Sequence, residues 1–425
     1  MNATTAALGW SAAGQDLPAN ESIRRPREAA LRVLEPSDKE LQHGLELHAA
    51  SIVMEPYGFA PRSAWDGAAV ARAMEAGASD EELEDMLDEM ANCRFATDAA
   101  ERREFVEAWK AAGMTCIFQN AGEECQDPVR LLRRLGHFTF ALDMANDFLI
   151  RVTSAADILE AKRQGKAALA LGMCGVPLVQ RWNSAGDELR LIPVFFQLGV
   201  RMMHLTYNRR NMIGDGCGEA SDAGLSDFGR AAVAEMNRVG VIVDVAHSGW
   251  RTSLEAAKAS RRPMVASHSG AAALNKHFRC KPDEVLRAVA DTGGLVGICA
   301  VGQFLGRTGD LNAMLDHIDY VARKVGVDHV AIATDYSYRS RTAGEEYRKI
   351  PRRRRLRPRW EALWPIPVAT DGPRQDTMAW TNWPLFTVGL VKRGYSDADI
   401  QKIIGGNAVR VVRDSFPAKI PPAGA

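Results

Sequence analysis

The chain has 425 residues, 46% of them hydrophobic and 25% charged, and its 53 Lys and Arg balance 53 Asp and Glu, so the formal net charge at pH 7 is zero. The apolar fraction allows a large buried core and excludes a disordered composition, while the zero net charge argues against a general binder of nucleic acids. The odd number of Cys without a CxxC pair excludes a disulfide framework, and the N-terminus lacks a basic segment followed by an apolar one, so we expect a cytoplasmic protein without a membrane anchor.

Three segments are predicted along the chain. Residues 1–26, rich in Ala, Gly, Asn and Pro, are predicted to form a flexible arm. Residues 27–415 are predicted to form one domain in which short apolar runs alternate with amphipathic stretches, and residues 416–425 form a C-terminal tail. Length alone does not divide this domain, because α/β barrels of about 250 residues or more are common.

Eight short runs are candidate strands, and most of them are apolar on both faces, as expected of parallel strands that are covered on both sides. They are Ser51–Glu55, Met114–Phe118, Ala167–Met173, Val200–Thr206, Val241–Ala246, Met264–Ser267, Leu295–Val301 and His329–Thr334. Between them, Ser226 can cap a helix that ends at Gly240, and Pro282 opens another helix with acidic residues in its first turn. The alternation predicts an α/β fold of the (β/α)8 TIM-barrel type. A doubly wound open sheet is the alternative, but no GxGxxG follows an early strand.

One segment, at about 339–375, interrupts this alternation. It contains several Pro and many charges, including the run Arg352–Arg355. It is either a solvated insertion or subunit contact, or an active-site rim that favours an acidic group of the substrate. After it, the sequence SDADIQKIIGGNAVRVVRD predicts two closing helices with a break at Gly-Gly-Asn.

Two histidines directly follow apolar runs, and each is followed by Ser-Gly. His247 lies in the motif VIVDVAHSG, and His268 lies in the motif PMVASHSG. The reactive groups of barrel enzymes lie at the carboxyl ends of strands, and imidazole nitrogens there can hold a zinc-type ion. The alternative for each histidine is a neutral core side chain. His204, inside its strand, is predicted to be structural, because alternation directs it away from Tyr207.

Two charged residues near the same strand ends are further candidates. Asp335 closes the run HVAIATD, where a carboxylate could orient a metal-bound water or take its proton; alternatively it is a helix cap or pairs with Arg339. Arg279 could bind a substrate carboxylate through its planar guanidinium. The alternative for Arg279 is a surface ion pair with Asp283 or Glu284.

Long motifs in this sequence resemble the membrane dipeptidase (renal dipeptidase-like, peptidase M19) family. They are HLTYNRRNMIGDGCGEASDAGLSDFGRAAVAEMNRVGVIVDVAHSG, PMVASHSGAAALNKHFRCKPDEVLRAVADTGGLVGICAV, HVAIATDYSY and GYSDADIQKIIGGNAVRVV. The resemblance covers roughly residues 40–415. It implies a (β/α)8 barrel of the metal-dependent hydrolase type, a binuclear zinc site and hydrolysis of dipeptides, including those with a D-residue at the C-terminal side.

Carried over residue by residue, the resemblance makes His247 and His268 metal ligands, Arg279 the receptor of the substrate carboxylate and Asp335 the aspartate near the catalytic water. Tyr207 stands where the family has a histidine that contacts the substrate. The chain also departs from the family at the metal site. Pro56 and Gly58 occupy the positions of the first-strand His-x-Asp motif, and Cys174 replaces the glutamate that bridges the two metals.

These departures predict a reduced site with one zinc or other divalent ion per chain, for which Glu55, Cys174 and Asp335 are candidates for the third protein ligand. The resulting hypothesis is a hydrolase of amide bonds in dipeptides or similar small carboxylated substrates, with the site His247, His268, Glu55 and Asp335. Other C–N cleavage or lyase chemistry, and an inactive barrel that binds a ligand or serves in assembly, are the alternatives. By resemblance we also expect a homo-oligomer.

Overall fold

The computed structural model describes residues 20–122, 127–181, 183–352 and 373–416, and parallel strands form a single sheet in this part of the chain. The strands are β1 Met54–Gly58, β2 Cys116–Asn120, β3 Leu149–Val152, β4 Ala167–Met173, β5 Val200–His204, β6 Ile242–Asp244, β7 Val265–Ser269, β8 Leu295–Ile298 and β9 Val330–Ile332. Eight of them are hydrogen-bonded in the order β1-β2-β4-β5-β6-β7-β8-β9. With helices between them, they make a nearly closed (β/α)8 barrel, so the predicted fold is confirmed.

Each predicted strand overlaps a barrel strand, but the first is displaced along the chain. It was expected at Ser51–Glu55 and runs over Met54–Gly58. Ser51 instead ends the preceding helix, since its backbone N–H and its hydroxyl both donate to the carbonyl of Leu47. Glu55 is therefore the second residue of β1 and does not lie at its carboxyl end.

Strand β3 lies outside the eight-stranded order and is not among the predicted strands. Its residues Leu149–Val152 pair with the first half of β4, and β5 pairs with the second half. Only the two end residues of this four-residue strand are buried, whereas Ile150 and Arg151 are half-buried. A run this short, with a charge in it, carries little strand signal.

The helices lie between and around the strands. In chain order they are α1 Glu21–Leu34, α2 Asp38–Ala50, α3 Gly67–Glu75, α4 Asp80–Cys93, α5 Ala99–Ala112, α6 Pro128–Met144, α7 Ala155–Gln164, α8 Ala185–Leu189, α9 Leu191–Gln197, α10 Asp227–Val239, α11 Trp250–Ala259, α12 Asp283–Asp291, α13 Gly302–Leu305, α14 Leu311–Val325, α15 Ala343–Lys349, α16 Pro373–Asp376, α17 Trp383–Lys392, α18 Asp397–Gln401 and α19 Asn407–Ser415. None of these helices of the described residues is long and apolar enough to cross a membrane.

The helix signals in the sequence mark real boundaries. The Ser226 hydroxyl accepts the backbone N–H of Gly229 at the start of α10, and Gly240 ends that helix in the left-handed region. Helix α12 starts directly after Pro282, with two acidic residues in its first turn. Both predictions are confirmed.

The predicted break between the two closing helices is also present. A wide helical turn, Lys402–Gly406, joins α18 to α19. A Cβ atom at Gly405 would lie 2.2 Å from the carbonyl oxygen of Ile52, so only glycine allows this turn to pack against the start of the barrel.

The N-terminal segment assigned to a flexible arm is partly helical. Helix α1 begins at Glu21, where the Asn20 side chain accepts the backbone N–H of Ser22. Residues 1–19, most of the predicted insertion (353–372) and the tail beyond Phe416 lie outside the described residues.

Candidate active site at the carboxyl ends of the strands

Three histidine rings meet at the carboxyl end of the barrel and form what we call the histidine cluster: His204, His247 and His268. His204 is the last residue of β5, His268 lies in β7, and His247 follows β6. The ring centroids are 4.9 Å apart for His247 and His268, 5.2 Å for His204 and His247, and 5.5 Å for His204 and His268. All three side chains are buried. The structure thus brings together the two predicted metal ligands and adds a third imidazole.

The rings of His247 and His268 face each other through their Nε2 atoms, which are 2.9 Å apart. Their other nitrogens are held by neighbours: Nδ1 of His247 lies 2.8 Å from Oδ1 of Asn208, and Nδ1 of His268 lies 2.8 Å from the hydroxyl of Ser267. Burial, reinforced by the positive charge of Arg279, keeps the pKa of both histidines well below the usual value. Both are therefore neutral at physiological pH, which is the form that binds a metal.

His204 contacts a buried carboxylate. Its Nε2 lies 2.6 Å from Oδ2 of Asp244, the last residue of β6. Burial alone would lower the pKa of His204, but the Asp244 carboxylate and the Cys174 thiol raise it to about 10. The prediction that His204 is only structural did not anticipate this position, because alternation inside a strand says nothing about which side chains of neighbouring strands lie beside it.

Arg279 is buried behind the cluster. Its guanidinium donates to the carbonyl oxygens of Ala246 and His268, and its Nη2 lies 3.3 Å from Nε2 of His247. The alternative of a surface ion pair with Asp283 is wrong, because the Arg279 side chain is 2% exposed and Asp283 pairs with Lys324 at 2.6 Å. Arg279 therefore joins the ends of β6 and β7 beside the histidines.

Asp335 lies near His268 in the lining of the cavity described below. Its Oδ2 is 4.0 Å from Nε2 of His268. Its backbone φ of 59° is in the left-handed region, which a non-glycine residue adopts only where the surroundings require it. Burial raises the pKa of its carboxyl to about 6, against the opposing charges of Arg279, His204 and Arg62. A carboxyl with this pKa can gain and lose a proton near neutral pH.

Two tyrosines cover the histidines. Tyr207 stacks on His247, with ring centroids 4.1 Å apart, and Tyr57 stacks on His268 at 4.0 Å. The Tyr57 hydroxyl lies 2.9 Å from Sγ of Cys174. Tyr207 is a predicted site residue, whereas Tyr57 was missed because the displaced first strand concealed that its side chain turns toward the cluster.

A cavity of about 340 Å³ opens above these rings. Its lining includes Tyr57, Cys174, Tyr207, His247 and Asp335 together with Phe59, Arg62, Asp88, Asn92, Asn120, Ala121, Gly122, Arg134 and Phe138. The volume is at the small end of the range for ligand sites, which is about 300–1,000 Å³. The cavity therefore suits a small, polar molecule.

The family model for membrane dipeptidase (peptidase family M19) matches residues 81–351. The chain belongs to the membrane dipeptidase family. Membership of this family supports a metal-dependent hydrolase that resembles dipeptidases. Dipeptidase tcpJ of Claviceps purpurea (strain 20.1) is 25% identical over 316 residues, which are 73% of this chain; the match spans 62% of that relative, less than two thirds of its length.

Solved structures resemble the chain over most of its length. An amidohydrolase from Pseudomonas aeruginosa is 29% identical with a TM-score of 0.62, covering 88% of this chain and 99% of its own. The probable dipeptidase PvdM from the same organism, at 20% identity, has a TM-score of 0.61 and coverages of 89% and 98%. A metallo peptidase from Rhodobacter sphaeroides, liganded with a phosphinate mimic of the dipeptide L-Ala-D-Ala, is 18% identical with a TM-score of 0.60 and coverages of 86% and 100%. The last two show the shared fold.

The carboxyl of Glu55 packs against Gly58 in the same strand, β1. A Cβ atom at Gly58 would lie 2.5 Å from the Glu55 carboxyl carbon. That carboxyl accepts the backbone N–H of Thr334 at 2.6 Å, the Thr334 hydroxyl, and Nε1–H of Trp380 at 2.9 Å. Glu55 as a metal ligand stays a prediction, but its oxygens already join β1 to the end of β9 and to Trp380.

Replacing Glu55 by Ala is expected to lower the free energy of unfolding by about 3 kcal/mol or more, because it leaves buried N–H and O–H donors of Thr334 and Trp380 without an acceptor. Burial raises the pKa of Glu55 to about 8. Since the folded pKa is above the unfolded one, the contribution of Glu55 is largest below about pH 4.5 and falls as pH rises through 8. Chemical denaturation at pH 5 and pH 9 measures both effects.

The control for this prediction is Glu75→Ala at an exposed position of α3, which should change the free energy of unfolding by less than about 0.5 kcal/mol. A Glu55→Ala protein as stable as the control would contradict the structural role. Loss of a bound metal in a folded Glu55→Ala protein would instead support the ligand prediction.

Proposed function

We propose that the chain is a metal-dependent hydrolase that cleaves the amide bond of a dipeptide or a similar small carboxylated substrate with one divalent ion, zinc being the first candidate. The observation that carries this proposal is the pair of neutral histidines, His247 and His268, close to Asp335 and next to a cavity of about 340 Å³. Family membership supports the reaction class.

The side chains present fit one ion better than two. A ligand atom of the neutral His268 lies within 4.8 Å of ligand atoms of His204 and Asp244, and buried polar atoms of those two residues lack hydrogen bonds. At the position of a bridging carboxylate, the Cys174 thiol contacts Tyr57 instead. Pro56 and Gly58 supply no ligand atoms from β1. A bound divalent ion would polarise the substrate carbonyl and lower the pKa of a water molecule.

Asp335 is the proposed proton acceptor. Its carboxyl lines the cavity, and a pKa of about 6 leaves it ionised at pH 7 and able to hold a proton transiently. Tyr207, stacked on His247 at the cavity wall, is the proposed contact for the scissile amide. Both side chains reach the same space from different strand ends.

The substrate carboxylate has two candidate receptors. Arg279, the predicted one, donates to the backbone carbonyl groups of Ala246 and His268 and does not line the cavity. Arg62 lines the cavity, and its guanidinium lies 4.5 Å from the ring centre of Phe59. We propose that Arg62 receives the carboxylate while Arg279 positions the histidines from behind.

The test uses protein loaded with Zn²⁺ and three substrates: L-Ala-L-Ala, L-Ala-D-Ala, and L-Ala-D-Ala whose C-terminal carboxylate is replaced by an amide. Hydrolysis of the peptide bond and the content of bound metal are measured on the same sample. We expect release of alanine from at least one dipeptide and a kcat/KM at least tenfold lower for the amide, which lacks the carboxylate. Addition of a chelator should abolish the activity. Metal-loaded, folded protein that hydrolyses none of the three would overturn the proposal and favour other chemistry or a ligand-binding role.

A further inference from the structure

His204, Asp244 and His268 lie at the ends of three adjacent strands, β5, β6 and β7. One potential ligand atom from each lies within 4.8 Å of those of the other two. All three side chains are at most 1% exposed. Two imidazoles and a carboxylate form a typical ligand set for zinc, which takes nitrogen and oxygen ligands in a tetrahedral arrangement. His204 has to release the proton that it holds beside Asp244 when it becomes a ligand, so binding of the ion releases a proton.

Polar atoms of this group lack hydrogen bonds, which is unusual for a buried site. The two ring nitrogens of His204 and Oδ2 of Asp244 make no hydrogen bond of acceptable geometry, although Nε2 of His204 is 2.6 Å from that oxygen. The two atoms are thus close, but the ring N–H is not directed at the oxygen. The exposed pair His43 and Asp397 behaves differently, since it is hydrogen-bonded at 2.8 Å. Buried polar atoms are almost always hydrogen-bonded, so these converging atoms, joined only as an ion pair, are suited to binding a further ligand.

Neighbouring groups hold the ligand atoms in place. Oδ1 of Asp244 accepts the backbone N–H groups of Ala246 at 2.9 Å and Ser267 at 3.1 Å, so Oδ2 is left to face His204. The hydroxyl of Ser267 lies 2.8 Å from Nδ1 of His268, so Nε2 of that ring, which now contacts Nε2 of His247 at 2.9 Å, is the ligand atom that His268 offers. Partners of this kind fix ligand orientation in protein metal sites.

We propose that the divalent ion binds to His204, Asp244 and His268, which we call the inner site, and not between His247 and His268. This proposal rests on the proposed function for the presence of an ion. The position between His247 and His268 is less favourable because the Arg279 guanidinium lies 3.3 Å from Nε2 of His247, where its positive charge would repel a metal ion. Bonds of about 2.0–2.2 Å in a tetrahedral site set ligand atoms about 3.4 Å apart, so binding widens the gap between His204 and Asp244.

The experiment measures zinc affinity and stoichiometry on the full chain, stripped with a chelator and titrated with Zn²⁺ against a competing indicator. We expect the wild-type protein to bind one ion per chain, and His204→Ala and Asp244→Asn to bind it at least tenfold more weakly. His247→Ala should retain the ion. His43→Ala, which disrupts the exposed His–Asp pair, is the matched control and should bind as the wild type does.

Three results would overturn the proposal: no zinc bound by the wild-type protein, unchanged affinity in both inner-site variants, or loss of the ion in His247→Ala with retention in His204→Ala. Circular dichroism and the shift of Tm on adding zinc show whether each variant is folded, and His204→Gln provides a bulkier substitute if His204→Ala is not. Zinc bound at the inner site without dipeptide hydrolysis would refute the proposed function alone. Hydrolysis by a protein that keeps its ion when both inner-site residues are replaced would refute the inner site alone.

Discussion

Replacing His268 by Ala is expected to abolish metal binding and to lower kcat/KM for a hydrolysed dipeptide by roughly a thousandfold or more, the amount that loss of metal assistance represents. His268 is the residue shared by the two ways in which an ion could bind, because its Nε2 lies 2.9 Å from Nε2 of His247 and it also belongs to the group with His204 and Asp244. An ion that moves toward His247, or toward His204 and Asp244, still lacks the ligand that His268 provides. Elemental analysis and steady-state kinetics on the same preparation measure both effects.

A buried histidine elsewhere separates this effect from a general loss of stability. His48 in α2 is fully buried and is held by the Thr387 hydroxyl at 2.7 Å and the Ala112 carbonyl at 2.9 Å. His48→Ala should therefore lower Tm but keep the metal content and the kcat of the folded fraction. Retention of either metal or turnover by His268→Ala would show that the cluster is not the reactive centre.

Most of the fold was predictable because the signals for a parallel barrel are local. Strands covered on both faces are short apolar runs, and β4, for example, has the bounds that its sequence predicts, Ala167–Met173. The displaced β1 and the missed β3 show the limit of such signals. Ser51 ends the preceding helix and does not start β1, because its hydroxyl donates to the carbonyl of Leu47. Strand β3 forms because β4 offers hydrogen-bonding groups to it, and the sequence of β3 alone does not show this pairing.

The site was predictable only where its residues follow strands. His247 and His268 share a motif context, so the sequence indicated them as a pair. His204 and Asp244 are separated along the chain and become neighbours through the pairing of β5 with β6, in which they are directly opposite each other. This register is a property of the sheet, and no pattern within either strand specifies it. Arg62 and Tyr57 were missed for the related reason that their positions depend on where β1 ends.

Replacing Asp335 by Asn is expected to lower kcat by about 10²–10⁴-fold, which is the usual contribution of a positioned proton acceptor. The substitution is well matched to its site. Asn tolerates the left-handed backbone that Asp335 adopts, with φ of 59°, and it keeps the size of the side chain while removing its ability to take a proton. The zinc affinity of Asp335→Asn should stay close to that of the wild-type protein if the ion binds at the inner site.

The dependence of activity on pH distinguishes a proton acceptor from a residue that only shapes the cavity. Burial raises the pKa of Asp335 to about 6, so the active carboxylate form disappears as pH falls through 6. The kcat/KM of the wild-type protein should therefore fall tenfold per pH unit below that value, whereas the residual activity of Asp335→Asn should not show this decline. An unchanged acid limb in the variant would assign the proton transfer to another group, and an unchanged kcat would remove Asp335 from the mechanism.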